Sequence, residues 1–308
     1  MTPHAQIPRP AIALVTDHMD WHARGLRRAF ARLGLRTVPI DLTACRIETS
    51  STNGLILPGF ERQMPEAVFV RTLSGGSFEA VTLRLGILHA LSGIGIPVWN
   101  DARAIERCVD KSATSFLLAR AGLPTPPTWA LEDPAQAAAI LVREQAPLVL
   151  KPLFGSQGRG LRLIRSADDL PSPSETAGGV YYLQRFIGAE RDGFRDFRVL
   201  VSAGRVIAAM MRHSSDWITN VKRGGRPIAA VADGSMRDLA VAAAAAVRAD
   251  FAGIDIVYDS AGQPFVLEVN SMPAWSGLQS VTRANIASGL VGDFLSALPE
   301  AAYPRARA

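Results

Sequence analysis

The sequence predicts an α/β protein: an N-terminal open parallel α/β domain followed by two α+β lobes with antiparallel sheets. Short apolar runs alternate with helix-period segments as far as Asn100, and beyond it the chain reads as strands paired about glycine turns. At 308 residues it also exceeds the usual single-domain length. The expected division is residues 1–103, 104–187 and 188–308.

Taken in order, AIALVT (residues 11–16) reads as a buried strand and WHARGLRRAFARLG as a helix closed by Gly34. RTVPIDL, NGLILPG and EAVFVRT supply further strands, Phe78 to Gly93 a helix and IPVWN another strand. Two short helices follow from Asp101, the second over about residues 110–122, and PTPPTW forbids its continuation. APLVLKP and LRLIRS are strands, PSPSETAGG (171–179) is a surface loop, and VYYLQRFI is again a strand. FRDFRVLVSAGRVIAAMMRH alternates like two antiparallel strands about Ser202-Ala203-Gly204. A long helix around MRDLAVAAAAAVRAD precedes a second hairpin, GIDIVYDSAGQPFVLEVN, and a last helix covers about residues 283–298.

The net charge of +5 and pI near 9.7 admit anionic partners, whether nucleotide, polycarboxylate or nucleic acid. The basic residues are scattered, without the aromatic interleaving of single-strand binders, so no nucleic-acid partner is expected. Cys45 and Cys108 lack CxxC spacing, which argues against a disulfide framework and a zinc site. The N-terminal apolar run AIALV is too brief for a signal-peptide core or a membrane span, so a soluble, cytoplasmic protein is expected. His18, His22 and His213 have no partner motif and read as ordinary polar residues; Trp275 reads as core packing.

Of 33 basic residues only Lys111, Lys151 and Lys222 are lysines. A compact ammonium suits a phosphate oxygen where arginine would impose a planar fork. Lys151 opens KPLFGSQGRG (residues 151–160), whose glycine order fits neither a Walker loop nor a dinucleotide fingerprint. Strands on both sides make it a flap, and its glycines would let backbone N–H groups approach phosphate. A plain glycine-rich turn is the competing reading.

In PFVLEVNSMP, Glu268 and Asn270 are two residues apart and share a strand face, opposite Leu267 and Val269. A turn through Ala261-Gly262 sets Asp255 across from Glu268, although a shift of one residue would turn Asp255 away. Three oxygen donors on one patch suit Mg²⁺, whose remaining positions go to water and phosphate. Ordinary polar alternation on an exposed strand face would look the same.

The order of these pieces resembles the ATP-grasp superfamily and, within it, the RimK-like amino-acid ligases. The resemblance runs from IPVWNDARAIERCVDKSATSFLLARAGLPTPPTW through KPLFGSQGRG, YYLQRFIG, DFRVLV, WITNVKRGG and AGIDIV to LEVNSMPAWSG. It implies that Lys111 and Lys151 hold the α and β phosphates of ATP beneath a flap containing Gly155, Ser156, Gln157, Gly158 and Gly160. By the same likeness Gln184, Arg185, Phe186 and Ile187 form the hinge that receives adenine. Asp255, Glu268 and Asn270 match the ligands of Mg²⁺ or Mn²⁺, two ions being expected. Asn220 and Lys222 fall in the loop bordering the amino-acid substrate. Arg198 and Arg212 would steady an acyl phosphate, and Asp196 would orient such an arginine or form a plain surface ion pair.

The implied activity is an ADP-forming carboxylate–amine ligation. Ile218 stands where RimK itself usually has arginine, which makes ribosomal protein S6 a doubtful acceptor. The favoured reaction joins L-glutamate to a carboxylate of a glutamyl cofactor of the tetrahydromethanopterin or methanofuran type. Modification of an acidic carrier protein and a non-catalytic ATP-binding regulator are the alternatives. The sequence leaves a homo-oligomer open.

Overall fold

The first apolar run becomes β1 (Ala11–Val15), fully buried, in a computed structural model that describes residues 11–155, 158–188 and 193–299. Ser156 and Gln157 lie outside the described residues. Helix α1 (Trp21–Arg32) starts where the Asp20 side chain accepts from the Ala23 N–H at 2.7 Å. Leu33 ends it and Gly34 follows with φ +74°. Strand β2 (Arg36–Ile40), the short antiparallel pair β3 (Arg46–Ile47) and β4 (Leu55–Ile56), and β5 (Ala67–Val70) come next. Helix α2 (Phe78–Gly93) is capped by Ser77 and leads to β6 (Val98–Trp99).

The parallel sheet runs β2-β1-β5-β6. Phe30, Phe69, Trp99 and Phe294 meet edge-on beside it, apart from the tilted Phe69–Trp99 pair, with ring centroids 5.5–6.2 Å apart. Residues 11–103 form one compact unit together with 285–299, whose helix at Ile286–Ala297 packs on α1. The sequence reading grouped that helix with residues 188–308 by chain order, but packing follows its apolar face.

Residues 104–284 form the second unit. Helix α3 (Ala102–Val109) and α4 (Lys111–Arg120) lead to strand β7 (Thr128–Leu131), helix α5 (Pro134–Glu144), β8 (Leu148–Lys151), β9 (Arg162–Ile164) and β10 (Tyr181–Arg185). Their antiparallel sheet has the order β7-β10-β8-β9, so KPLFGSQGRG does connect two antiparallel strands. The segment read as a loop at 171–179 contains two short 3-10 turns.

A second antiparallel sheet has the order β13-β12-β11-β14-β15. It contains β11 (Phe194–Ser202), β12 (Arg205–Ser214), β13 (Arg226–Ala230), β14 (Phe251–Tyr258) and β15 (Pro264–Asn270). The β11–β12 hairpin turns at Ala203 and Gly204, with φ +46° and +72°. Helix α6 (Gly234–Val247) lays Ala240, Ala243, Ala244 and Val247 against Val199, Ile254, Ile256, Val266 and Val269. Side chains alternate across a strand, so this core on one face leaves Asp196, Arg198, Asp255 and Glu268 to the other. Helix α7 (Ser276–Val281) follows, and α8 is the terminal helix already described. Among the described residues no helix is long and apolar enough to cross a membrane.

Candidate active site

A cavity of about 600 Å³ opens between the two antiparallel sheets of the second unit, a size that suits a bound small molecule. Its walls include Lys111, Lys151, Gly155, Gly158, Gln184, Arg185, Phe186, Ile187, Asp196, Arg198, Arg212, Asn220, Asp255, Glu268 and Asn270. The sequence-predicted residues thus converge, with two exceptions among those described. Gly160 and Lys222 do not line the cavity, and Lys222 sits exposed on a 3-10 turn at Val221–Arg223.

The lysine wall is built by neighbouring elements. Asp110 caps α4, which fixes Lys111 at the helix start. The Lys111 Nζ donates to the carbonyls of Gly155 at 2.9 Å and Leu153 at 3.3 Å, and stands 3.9 Å from Glu268 Oε1. Lys151, the last residue of β8, donates to Gln184 Oε1 at 2.6 Å. Gln184 is buried and its amide nitrogen is 3.2 Å from Thr128 Oγ1. Gln184, expected in the adenine hinge, therefore also aims an ammonium. Desolvation lowers the Lys151 pKa to about 8, with Lys111 pushing the same way and Glu268 and Asp255 opposing.

The acidic wall comes from the second sheet. Asp255 and Glu268 are register partners on β14 and β15, as expected, but the route differs. The hairpin ladder runs Tyr258↔Pro264, Val257↔Phe265 and Ile256↔Val266, then slips by one residue before Asp255↔Glu268. Leu267 is the extra residue of this bulge. Placed opposite the cavity by simple alternation, it lines the cavity instead, because a bulge breaks the two-residue period.

Arg198 and Asp255 are also register partners, on β11 and β14. The Arg198 Nε donates to Oδ1 of Asp255, and its Nη2 to Oδ2 at 2.8 Å. Arg212, opposite Asp196 on β12, gives Nε to Asp196 Oδ1 at 2.7 Å and Nη2 to Asp196 Oδ2, and reaches Asp255 Oδ2 at 3.0 Å. Asp196 is 6% exposed, so it is a buried orienting group for Arg212 and not a surface ion pair. Burial pushes the Asp255 carboxyl up, and the two guanidinium groups more than offset it, holding it below the usual carboxylate range. Arg198 and Arg212, expected to face an acyl phosphate, are here engaged by carboxylates.

Phe194 and Trp217, which also line the cavity, were missed in the sequence. Phe186 meets Phe194 and Trp217 edge-on at 6.3 and 6.1 Å between centroids, and a FxxxxxxxF spacing carries no signal that would pair them. Ile218 is buried at the cavity wall. A Cβ on Gly158 would come within 2.8 Å of both Asn220 Oδ1 and Ile218 Cγ2, so the described part of the flap lies directly on the 218–220 loop. His22 bonds to Asp20 at 2.8 Å, and Trp275 is buried in packing as expected.

The profile of the RimK-like ATP-grasp domain matches residues 108–293. The chain belongs to the RimK-like ATP-grasp family. It is 31% identical over 301 residues to the tetrahydromethanopterin:alpha-L-glutamate ligase of Methanosarcina acetivorans, covering 86% of this chain and 92% of that one. It is 34% identical over 206 residues to the protein of the same name from Methanococcus maripaludis, covering 65% and 70%. The fold also resembles the ATP-grasp ligase PsnB complexed with a minimal precursor, with a TM-score of 0.72, 22% identity and coverage of 93% and 99%.

With this family goes ATP-dependent ligation of a carboxylate to an amine, ADP-forming, with ATP and Mg²⁺ as its ligands. The donor set fits such an ion: Asp255, ionised, Glu268 and the Asn270 amide are hard oxygen donors lining one cavity. Among the described residues no group of three or more His, Cys, Asp or Glu could hold a metal. A Mg²⁺ ion held by these residues would draw the rest of its shell from water and phosphate oxygens, which is its ordinary habit.

Proposed function

We propose that the protein condenses the α-amine of L-glutamate with a carboxylate of a glutamyl cofactor of the tetrahydromethanopterin or methanofuran type. The observation that carries this reading is the match to tetrahydromethanopterin:alpha-L-glutamate ligase across 86% of the chain. The cavity supports it with ammonium groups on one wall and carboxylates on the other.

In this reading Lys111 and Lys151 hold the phosphates of ATP, and the hinge of Gln184, Arg185, Phe186 and Ile187 takes the adenine. Asp255, Glu268 and Asn270 would hold magnesium, two ions in our expectation, which would supply positive charge against the phosphates of ATP. The γ-phosphorus loses its bond to ADP as it gains one to the acceptor carboxylate oxygen. The glutamate nitrogen then attacks the acyl carbon, the carbon–oxygen bond to phosphate breaks, and the amine gives up a proton. Arg198 and Arg212 would offset the charge of the acyl phosphate. Asn220 positions the amine substrate. We also propose that residues 104–187 and the sheet beyond 188 act as separate lobes, since each carries its own core.

Purified protein with ATP, Mg²⁺, L-glutamate and glutamyl-cofactor acceptors should release ADP in step with a lengthened acceptor. No ADP above background with any such acceptor overturns the proposal.

A further inference from the structure

Asp255 is engaged through both of its oxygens. Arg198 takes both of its oxygens, Nε on Oδ1 and Nη2 on Oδ2, and Arg212 adds a third contact at 3.0 Å to Oδ2. A carboxylate offers about four lone-pair sites, so both sites on Oδ2 are used and one remains on Oδ1. The other carboxylate is attended too, by the Lys111 ammonium 3.9 Å from Glu268. Side-chain cations thus stand where the divalent ion has to bind.

We propose that Arg198 is a resident counter-cation, bound to Asp255 in the metal-free protein and displaced from it when the divalent ion loads. Metal loading would thereby free a guanidinium at the moment the acceptor carboxylate needs one. The inference rests on the reading of Asp255, Glu268 and Asn270 as the metal wall.

Of the two arginines, the geometry picks out Arg198 as the one that moves. Arg212 is held by two bonds to Asp196, its partner across β11 and β12, and keeps that charge pair if Asp255 is withdrawn. Arg198 has Asp255 as its carboxylate among the described residues. Its side chain lies over Gly253, where a Cβ would stand 3.1 Å from Cδ and 3.3 Å from Nη1. That glycine lets the guanidinium lie flat along β14 and reach its register partner. A divalent cation and a guanidinium on the same carboxylate oxygens repel, and Arg212 has a second carboxylate, Asp196, to hold it in place.

The test uses Mn²⁺ as the probe, counted by electron paramagnetic resonance with ADP present, on the full chain. Wild type, Arg198→Lys, Arg198→Met and Glu268→Gln are compared after melting curves confirm folding. Arg198→Lys keeps the charge and removes the two-pronged grip, so displacement predicts several-fold tighter Mn²⁺ binding than wild type. A simple charge effect would tighten Arg198→Met alone, and Arg198→Lys binding equal to or weaker than wild type overturns the proposal. In parallel, the Arg198 Nε–H resonance, assigned by its loss in Arg198→Lys, should shift on adding Mg²⁺ and ADP. A resonance that does not move also overturns it. Glu268→Gln separates the two levels: undiminished Mn²⁺ binding there contradicts the metal wall itself, whatever Arg198 does.

Discussion

Asp255 and Glu268 face each other across β14 and β15 through a slipped register, with Leu267 bulged out between Val266 and Glu268. The two carboxylates share a patch but not an environment. Asp255 is 4% exposed and braced by two arginines, whereas the Glu268 side chain is 27% exposed. Replacing Asp255 by Asn leaves buried guanidinium charge uncompensated and should cost ~3–5 kcal/mol of stability. Glu268→Gln should cost about 1 kcal/mol or less. Both should abolish ADP release, and urea unfolding beside the assay checks the contrast.

In the proposed phosphate-holding role, Lys151 should make nucleotide binding pH-dependent. Its pKa is lowered from 10.5 to about 8 in the folded protein, with desolvation the main cause. Below pH 8 the ammonium persists in both states, so folding bears the full cost of desolvating it. Between pH 8 and 10.5 the unfolded chain binds the extra proton, so this group's contribution to stability rises with pH and levels off above. Phosphate needs the charged form, so nucleotide affinity should fall as pH passes about 8, with proton uptake on binding. Calorimetry at about pH 8.5 in buffers of different ionisation heat measures the uptake, and Lys151→Gln should remove it.

Gly158 sits at φ +70° and touches Asn220 and Ile218. An alanine there costs about 1–2 kcal/mol for the left-handed backbone alone and also collides with those side chains. Gly158→Ala should lower kcat/KM for ATP roughly 5–30-fold and lower the melting temperature by a few degrees, roughly the shift that 1–2 kcal/mol produces. A drop in melting temperature without a kinetic effect would contradict the flap–loop contact.

The 218–223 loop divides its residues between cavity and solvent. Asn220 lines the cavity and Lys222 is exposed outside it. Asn220→Ala should raise KM for the amine substrate about tenfold, the loss of roughly 1.4 kcal/mol of contact. Lys222→Ala should stay within about twofold, as surface substitutions usually do. Steady-state kinetics with glutamate varied decides between them.

Much of the fold is written in local pattern. The helix at Phe78–Gly93 ends where its sequence says, and the two hairpins turn at Ala203-Gly204 and near Gly262 as glycine placement requires. Helix α5 was missed although Asp133 as cap and Pro134 at the first position announce it, and β7 was hidden by the prolines before it. The cavity's lysines were visible because only three lysines stand among 33 basic residues, and the carboxylates because charged residues rarely sit within apolar strands without a use. What local pattern could not provide was pairing between distant strands. Arg198 meets Asp255 across 57 residues of chain, and Gln184 reaches Lys151 from another strand. The Leu267 bulge was equally hidden, since nothing in PFVLEV distinguishes a slipped ladder from a regular one.

In the proposed reaction a carboxylate is activated by phosphorylation in this cavity and then captured by an amine. The most direct measurement is nucleotide product analysis during turnover with ATP, Mg²⁺, L-glutamate and a glutamyl-cofactor acceptor. ADP and phosphate should appear in equal amounts with amide product, dependent on both acceptor and amine, and be absent in Glu268→Gln. Release of AMP and pyrophosphate, or ADP release indifferent to the acceptor, would contradict it.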